Sequence, residues 1–174
     1  MRRLTGYIAA IIIVAAIAFS VTSCSGSTSF NDDKILLGHV QNAMQTTIRG
    51  SLFEIFIAGP SYEDGLITYD LTIENKYSDY LVIEITEAEV NGVTCPVTGR
   101  LAAGKKDDAA GNKAIVINAS ELGIGSIIDI DDVELKVCLI RTNKVDGEGK
   151  PSKIKDEYMV TVPAMYENWK GFFT

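Results

Sequence analysis

The chain of 174 residues holds one histidine, one tryptophan, four prolines and three cysteines. Ser-His or Cys-His catalysis would have to run through His39, which stands in a stretch without apolar patterning. It reads as an ordinary surface or turn residue. The H-E-x-x-H and C-x-x-C spacings of zinc sites are absent. So are G-x-S-x-G and a glycine loop opening a phosphate-binding helix, since Gly123-Ile124-Gly125-Ser126 matches neither. Basic residues are the minority, 16 against 23 acidic. An acidic surface repels phosphate backbones and anionic lipid headgroups, which excludes nucleic acid as a partner. Helices alternating with strands are missing throughout, and no internal repeat is visible.

What is present begins with an apolar N-terminal run. Arg2 and Arg3 form a positive flank, residues 7–19 an apolar segment, and Thr22 and Ser23 are small enough for a peptidase groove. Residues 4–21 carry no charge, which also reaches the lower limit of a membrane-spanning helix. An uncleaved anchor of that kind would place the remaining chain on the same side of the membrane. The stretch Val21-Thr22-Ser23-Cys24 resembles the lipobox of bacterial lipoproteins. That resemblance implies a diacylglyceryl group, of the palmitate type, on the Cys24 thiol, followed by cleavage that makes Cys24 the first residue. It also implies a location on the extracytoplasmic face of a bacterial cell membrane, where two acyl chains hold a protein stably and one only marginally. The organisation expected is a signal peptide over 1–23, the lipidated cysteine and a flexible tether over 24–43, one domain over 44–163 and a tail over 164–174. None of the acidic residues precedes Cys24 and two of the basic ones do, so the remainder carries 14 basic against 23 acidic residues.

Residues 25–31 are Ser/Gly/Thr-rich, and 32–43 read as loop or a frayed turn. From residue 44 the apolar period is two. Residues 52–58 form a strand with Phe53, Ile55 and Ile57 inward, ended by Gly59-Pro60, and Glu63-Asp64-Gly65 is a turn. Residues 66–75 alternate most clearly. Residues 80–90 change parity between Ile85 and Ala88, which predicts a bulge near Thr86 and Glu87. Asn91-Gly92 is a hairpin signal. Residues 93–101 form a strand broken by Pro96, hence at a sheet edge. Residues 103–113 read as loop and 114–118 as a short strand. Ser120 caps a single helical turn that ends before Gly123. Residues 127–141 and 154–162 are strands joined by a loop over 143–151, and Pro163 stops the last one.

Seven to eight short strands without alternating helices predict an all-β antiparallel sandwich. The pieces Asn42-Ala43-Met44-Gln45-Thr46-Thr47, Phe53-Glu54-Ile55, Leu71-Thr72-Ile73-Glu74-Asn75 and Val90-Asn91-Gly92 occur in order. Ala103-Gly104-Lys105-Lys106, Ser120-Glu121-Leu122 and residues 127–130 follow them. Together they look like the immunoglobulin-like domain of surface lipoproteins from Gram-positive bacteria. The resemblance covers residues 42–141 and implies a fold and a location, with no catalytic residues to transfer. The Cys…Trp…Cys spacing of antibody domains is absent, because Trp169 lies beyond both other cysteines.

Asp129, Asp131, Asp132 and Glu134 are the best cation candidates, with Asp107-Asp108 in a loop, but they lack the spacing of a calcium loop. They read as a solvated strand face that discourages edge pairing. Asp146-Gly147-Glu148-Gly149 reads as turn chemistry, and no metal or cofactor is signalled. Tyr166, Trp169, Phe172 and Phe173 are candidate ligand-binding residues; packed back over the open end of the sandwich, they would instead be structural. Cys95 and Cys138 are an even pair in an oxidising compartment and a candidate disulfide. Against that pairing, Cys138 shares parity with Glu134 and Lys136, and Cys95 sits on an edge. The functional expectation is a lipid-anchored extracellular binding or structural module that recognises a protein, peptide or cell-wall component. The alternative is a solute-binding or accessory lipoprotein of a membrane transporter, although one domain gives no second lobe to close on a solute. An enzyme would need an acid–base or nucleophile constellation that is not visible.

Overall fold

Alternating apolar residues build eleven strands in a computed structural model, which describes residues 30, 34–40, 45–106 and 108–165. In chain order they are β1 (Leu36–Val40), β2 (Gln45–Gly50), β3 (Phe53–Glu63), β4 (Leu66–Asn75), β5 (Tyr80–Val90) and β6 (Val93–Cys95). They continue with β7 (Val97–Thr98), β8 (Arg100–Ala103), β9 (Asp108–Asn118), β10 (Val133–Thr142) and β11 (Ile154–Met165). One antiparallel sheet has the order β1-β2-β3-β4-β9-β7, and the other runs β11-β10-β5-β6 with β8 also on β5. Taking β3, β4, β9 and β7 as A, B, E and D, and β5, β10 and β11 as C, F and G, gives the immunoglobulin strand order. The protein is an all-β, immunoglobulin-like sandwich, widened by β1 and β2 beside strand A.

The core follows from the period of two. In β4, Ile67, Tyr69, Leu71 and Ile73 are fully buried while Asp70 and Glu74 face solvent. Ile55 and Ile57 of β3 and Ile115 and Ile117 of β9 extend that inner face, opposite Leu81, Ile83, Leu135, Val137 and Leu139. Each such side chain removed from water contributes about 1.5–3 kcal/mol, so the interior of the sandwich is the main source of stability. The bulge in β5 falls at Thr86, since Val137 pairs with Ile85 and Lys136 with Glu87. The extra residue lets Ile85 and Ala88 both reach the core. Asn91-Gly92 and Asp64-Gly65 close tight hairpins with positive φ at both residues, 51° and 74° and then 48° and 81°.

Several boundaries differ from the sequence expectations. Residues 36–40, expected as tether or frayed turn, form β1 against β2. β3 runs through Gly59-Pro60: Ala58 pairs with Asp70 and Ser61 with Thr68, so two residues bulge out opposite Tyr69. Gly59 adopts φ 62° there, and a bulge needs no ladder hydrogen from Pro60. β11 likewise passes Pro163, because the strand is the outermost of its sheet. β9 begins at Asp108, where backbone pairing with β4 overrides a polar, small-residue composition.

Residues 93–101 are three short pieces that change sheets. β6 pairs with β5, β7 with β9 in the opposite sheet, and β8 with β5 again. Gly99 permits the crossing, since a Cβ there would lie 3.0 Å from Ile85 Cγ1 and 3.2 Å from Ile115 Cγ1. Residues 127–132 are not strand: Ile127–Asp129 is a 3-10 turn. Ser120 is the first residue of its 3-10 turn, with Ala119 at the cap position and no side-chain cap. At the far margin, the Thr46 hydroxyl donates to the carbonyl of Pro163 at 2.5 Å and joins β2 to β11 across the two layers. Among the described residues no helix is long and apolar enough to cross a membrane.

Candidate functional sites

Three places gather side chains capable of chemistry. The first is the base of the sandwich, where β3 and β11 begin and β4 turns into β5. Phe30 is buried there among Phe53, Tyr77 and Tyr158, with ring centroids 6.2, 6.4 and 5.8 Å away. Phe53 and Tyr77 stack at 6.1 Å, and the Arg141 guanidinium lies 5.0 Å over the Tyr77 ring. Asn75 shapes the turn: its side-chain nitrogen donates to the Asp79 carbonyl at 2.8 Å, and its oxygen accepts from the Tyr77 N–H at 2.9 Å. Arg141 pairs with the buried Asp156 and lies 3.8 Å from Asp79. Lys155 donates to Asp79 at 2.9 Å. Burial pushes the Tyr158 hydroxyl above its usual range. The charges answer one another and the rings fill the space, so the arrangement plugs the base of the sandwich.

The second place is the acidic end, opposite the base. Asn91 organises it. Its side-chain oxygen accepts from the N–H of Asp131 at 2.7 Å and of Asp132 at 3.3 Å, and its nitrogen donates to the Asp129 carbonyl at 3.1 Å. The Asp129 carboxylate accepts from the N–H groups of Gly125 (3.1 Å) and Ser126 (2.9 Å), completing a capping box. Asp129 is therefore committed to its own turn and does not project from a strand beside Asp131. Among the described residues no three His, Cys, Asp or Glu side chains converge in a way that could hold a metal ion. Glu134 faces outward on β10 directly opposite Glu89 of β5. Burial, then Glu89, then Asp132 hold its carboxyl above the ordinary value.

The third place is the edge where β5 meets β7 and β8. A cleft of about 500 Å³ lies where Glu84, Arg100 and Glu148 meet. Arg100 pairs with Glu84 across it, which leaves little charge to aim at a ligand. On the outer face of β5 and β10, Val82, Cys138 and Ile140 form a small separate apolar cluster.

The cysteines correct the disulfide expectation. Cys95 and Cys138 are both buried and neither is in a disulfide. Cys95 belongs to the main core beside Ala88, whereas Cys138 lies on the opposite face of the same sheet. β6 and β10 flank β5, so two strand spacings, roughly 10 Å, separate them. A bridge needs Cα atoms within about 7 Å. Burial, with Glu121 nearby, pushes the Cys95 thiol up. The Cys138 thiol lies 3.1 Å from a carboxylate oxygen of Glu157.

Cys24, the rest of the N-terminal run, and Tyr166, Trp169, Phe172 and Phe173 lie outside the described residues. Ala164 and Met165, expected in the tail, complete β11 instead. His39 lies in β1 opposite Thr46, in a strand and not a turn. Sequence reasoning passed over Phe30 and Arg141, and it read Asn91 only as a hairpin residue. Phe30 had a local signal, as the single apolar residue between positions 25 and 34, and Arg141 had none. Comparison with family models, curated proteins and solved structures finds no match.

Proposed function

We propose that the chain is a lipid-anchored module on the extracytoplasmic face of a bacterial membrane, held through Cys24. It would recognise a protein, a peptide or a cell-wall component rather than transform a substrate. The observation that carries this reading is the N-terminal run itself. Arg2 and Arg3, an uncharged stretch over residues 4–21 and small residues ahead of Cys24 precede an immunoglobulin-like sandwich. Support for recognition comes from the polar clusters, whose partners lie within the domain: Arg141 with Asp156, Asn91 with residues 129–132, Arg100 with Glu84. The contact residues proposed are Tyr166, Trp169, Phe172 and Phe173, since large aromatic side chains dominate interface energetics.

The test of the anchor is intact mass. Protein extracted from membranes is expected to lack residues 1–23 and to carry an acyl adduct on Cys24. Cys24→Ser is expected to accumulate as unprocessed precursor, because a hydroxyl lacks the nucleophilicity of a thiol. Equal masses for both would end the proposal. Recognition is tested by cross-linking on intact cells, where Trp169→Ala should lose the partner that the unaltered protein captures.

A further inference from the structure

The whole domain is acidic, yet its charges are sorted by end. The strand registers place four connections at the base: residues 51–52, 76–79, 104–107 and 143–153. They and the start of β11 carry Lys76, Lys105, Lys106, Lys144, Lys150, Lys153 and Lys155, all exposed. The base also carries carboxylates, most of them with partners inside the domain. Asp79 meets Arg141 and Lys155, Asp156 meets Arg141, Asp108 accepts from the Gly104 N–H, Asp146 accepts from the N–H groups of Glu148 and Lys150, and Glu157 lies beside the Cys138 thiol, while Glu74 and Glu148 are exposed. At the opposite end the connections 64–65, 91–92 and 119–132 contain Asp64, Glu121, Asp129, Asp131 and Asp132 and not one lysine or arginine. The ten residues of β4 separate the two ends by roughly 34 Å. That is several times the Debye length of about 8 Å at physiological salt, so a surface near the base feels the lysines and not the net charge.

Phe30 decides which end meets a membrane. It is buried in the base against Phe53, Tyr77 and Tyr158, and six peptide steps from Cys24 reach at most about 22 Å. We infer that the lysine-bearing base docks on anionic lipid headgroups and that the acidic end points away from the bilayer. This rests on the anchoring reading above and adds to it an orientation and a lipid class. It departs from the expectation that an acidic domain simply repels such headgroups, because the end without lysine or arginine is the one held away from the bilayer.

The test uses the full lipidated chain in vesicles of phosphatidylcholine alone or with about one third phosphatidylglycerol, footprinted by lysine acylation and read by mass spectrometry. Lys76, Lys106, Lys144 and Lys153 are expected to react roughly threefold or more slowly in the anionic vesicles, and about 1 M salt should remove the difference. Lys136, on the flank of the sheet, should not change. Equal reactivity in both vesicles, or protection of Lys136 to the same degree, overturns the orientation. Equal protection by soluble poly(glycerol phosphate) over phosphatidylcholine overturns the assignment to lipid. A chain without acyl mass on Cys24 in the same sample overturns the anchor and this inference with it.

Discussion

The ring of Phe30 meets that of Phe53 nearly edge-on, with centroids 6.2 Å apart and planes at 78°. A residue from the N-terminal approach thus closes the base of a sandwich whose strands begin later. Phe30→Ala would leave a void among Phe53, Tyr77 and Tyr158. Loss of a buried Phe destabilises by about 3 kcal/mol, which corresponds to roughly 10 °C in Tm for a domain of this size. Calorimetry of the variant checks it. An unchanged Tm would show that the ring adds nothing to the fold.

The sandwich was legible because its information is local and repeats. The alternation of Ile67, Tyr69, Leu71 and Ile73 reports a half-buried strand in any context, and Asn91-Gly92 permits few turns other than the one observed. The bulge at Thr86 was legible for the same reason, since a parity change has one simple remedy. What escaped depends on distant partners. β9 exists because β4 offers it a backbone ladder, not because residues 108–113 favour a strand. Pro60 and Pro163 looked like stops, yet a bulge and an outer strand each relieve a proline of its missing hydrogen. The sheet-switching of residues 93–101 leaves only Pro96 and Gly99 as traces. At the base, Arg141 finds Asp156 and Tyr77 through pairings 15 and 64 residues apart in sequence. No local pattern encodes those.

Arg141 supplies the next expectation. Asp156 is 4% exposed, and its partner is the Arg141 guanidinium. Arg141→Met keeps much of the aliphatic stem but takes the guanidinium away from that buried carboxylate. Breaking a buried pair from one side costs about 3 kcal/mol, whereas replacing both partners with apolar residues is often neutral. Denaturant midpoints should therefore fall for Arg141→Met and recover for Arg141→Met combined with Asp156→Leu. Equal loss in the single and double variants would refute the pairing argument.

Tyr69 offers the reverse case. Its side chain is fully buried in β4 and its hydroxyl finds no hydrogen-bond partner among the described residues. Burial pushes its ionisation far above the usual range. Tyr69→Phe removes one unpaired polar atom and leaves the ring in place. The expected result is a gain of about 1 kcal/mol, seen as a higher urea midpoint at unchanged slope. A loss of similar size would reveal a buried water bonded to the hydroxyl.

Glu134 gives stability a pH dependence with a definite sign. Its carboxyl is held above the ordinary value of 4.5, chiefly by burial and then by Glu89 and Asp132. Between 4.5 and the folded value the native state binds more protons than the unfolded state. Stability contributed by this group therefore falls as pH rises through that window and stays lower above it. Glu134→Gln removes the ionised form. Like charges directly opposite on neighbouring strands cost a few tenths of a kcal/mol at a screened surface, so the variant should gain that much near neutral pH. Well below the window both proteins are neutral at this position, and the difference should vanish. Glu87 is the control on the same face: it pairs with Lys136 at 3.6 Å, and Glu87→Gln should bring no gain at neutral pH. Thermal melts of the three proteins at about pH 7 and about pH 3.5 separate the outcomes. A gain for Glu134→Gln that is equal at both values would assign the effect to packing and not to charge.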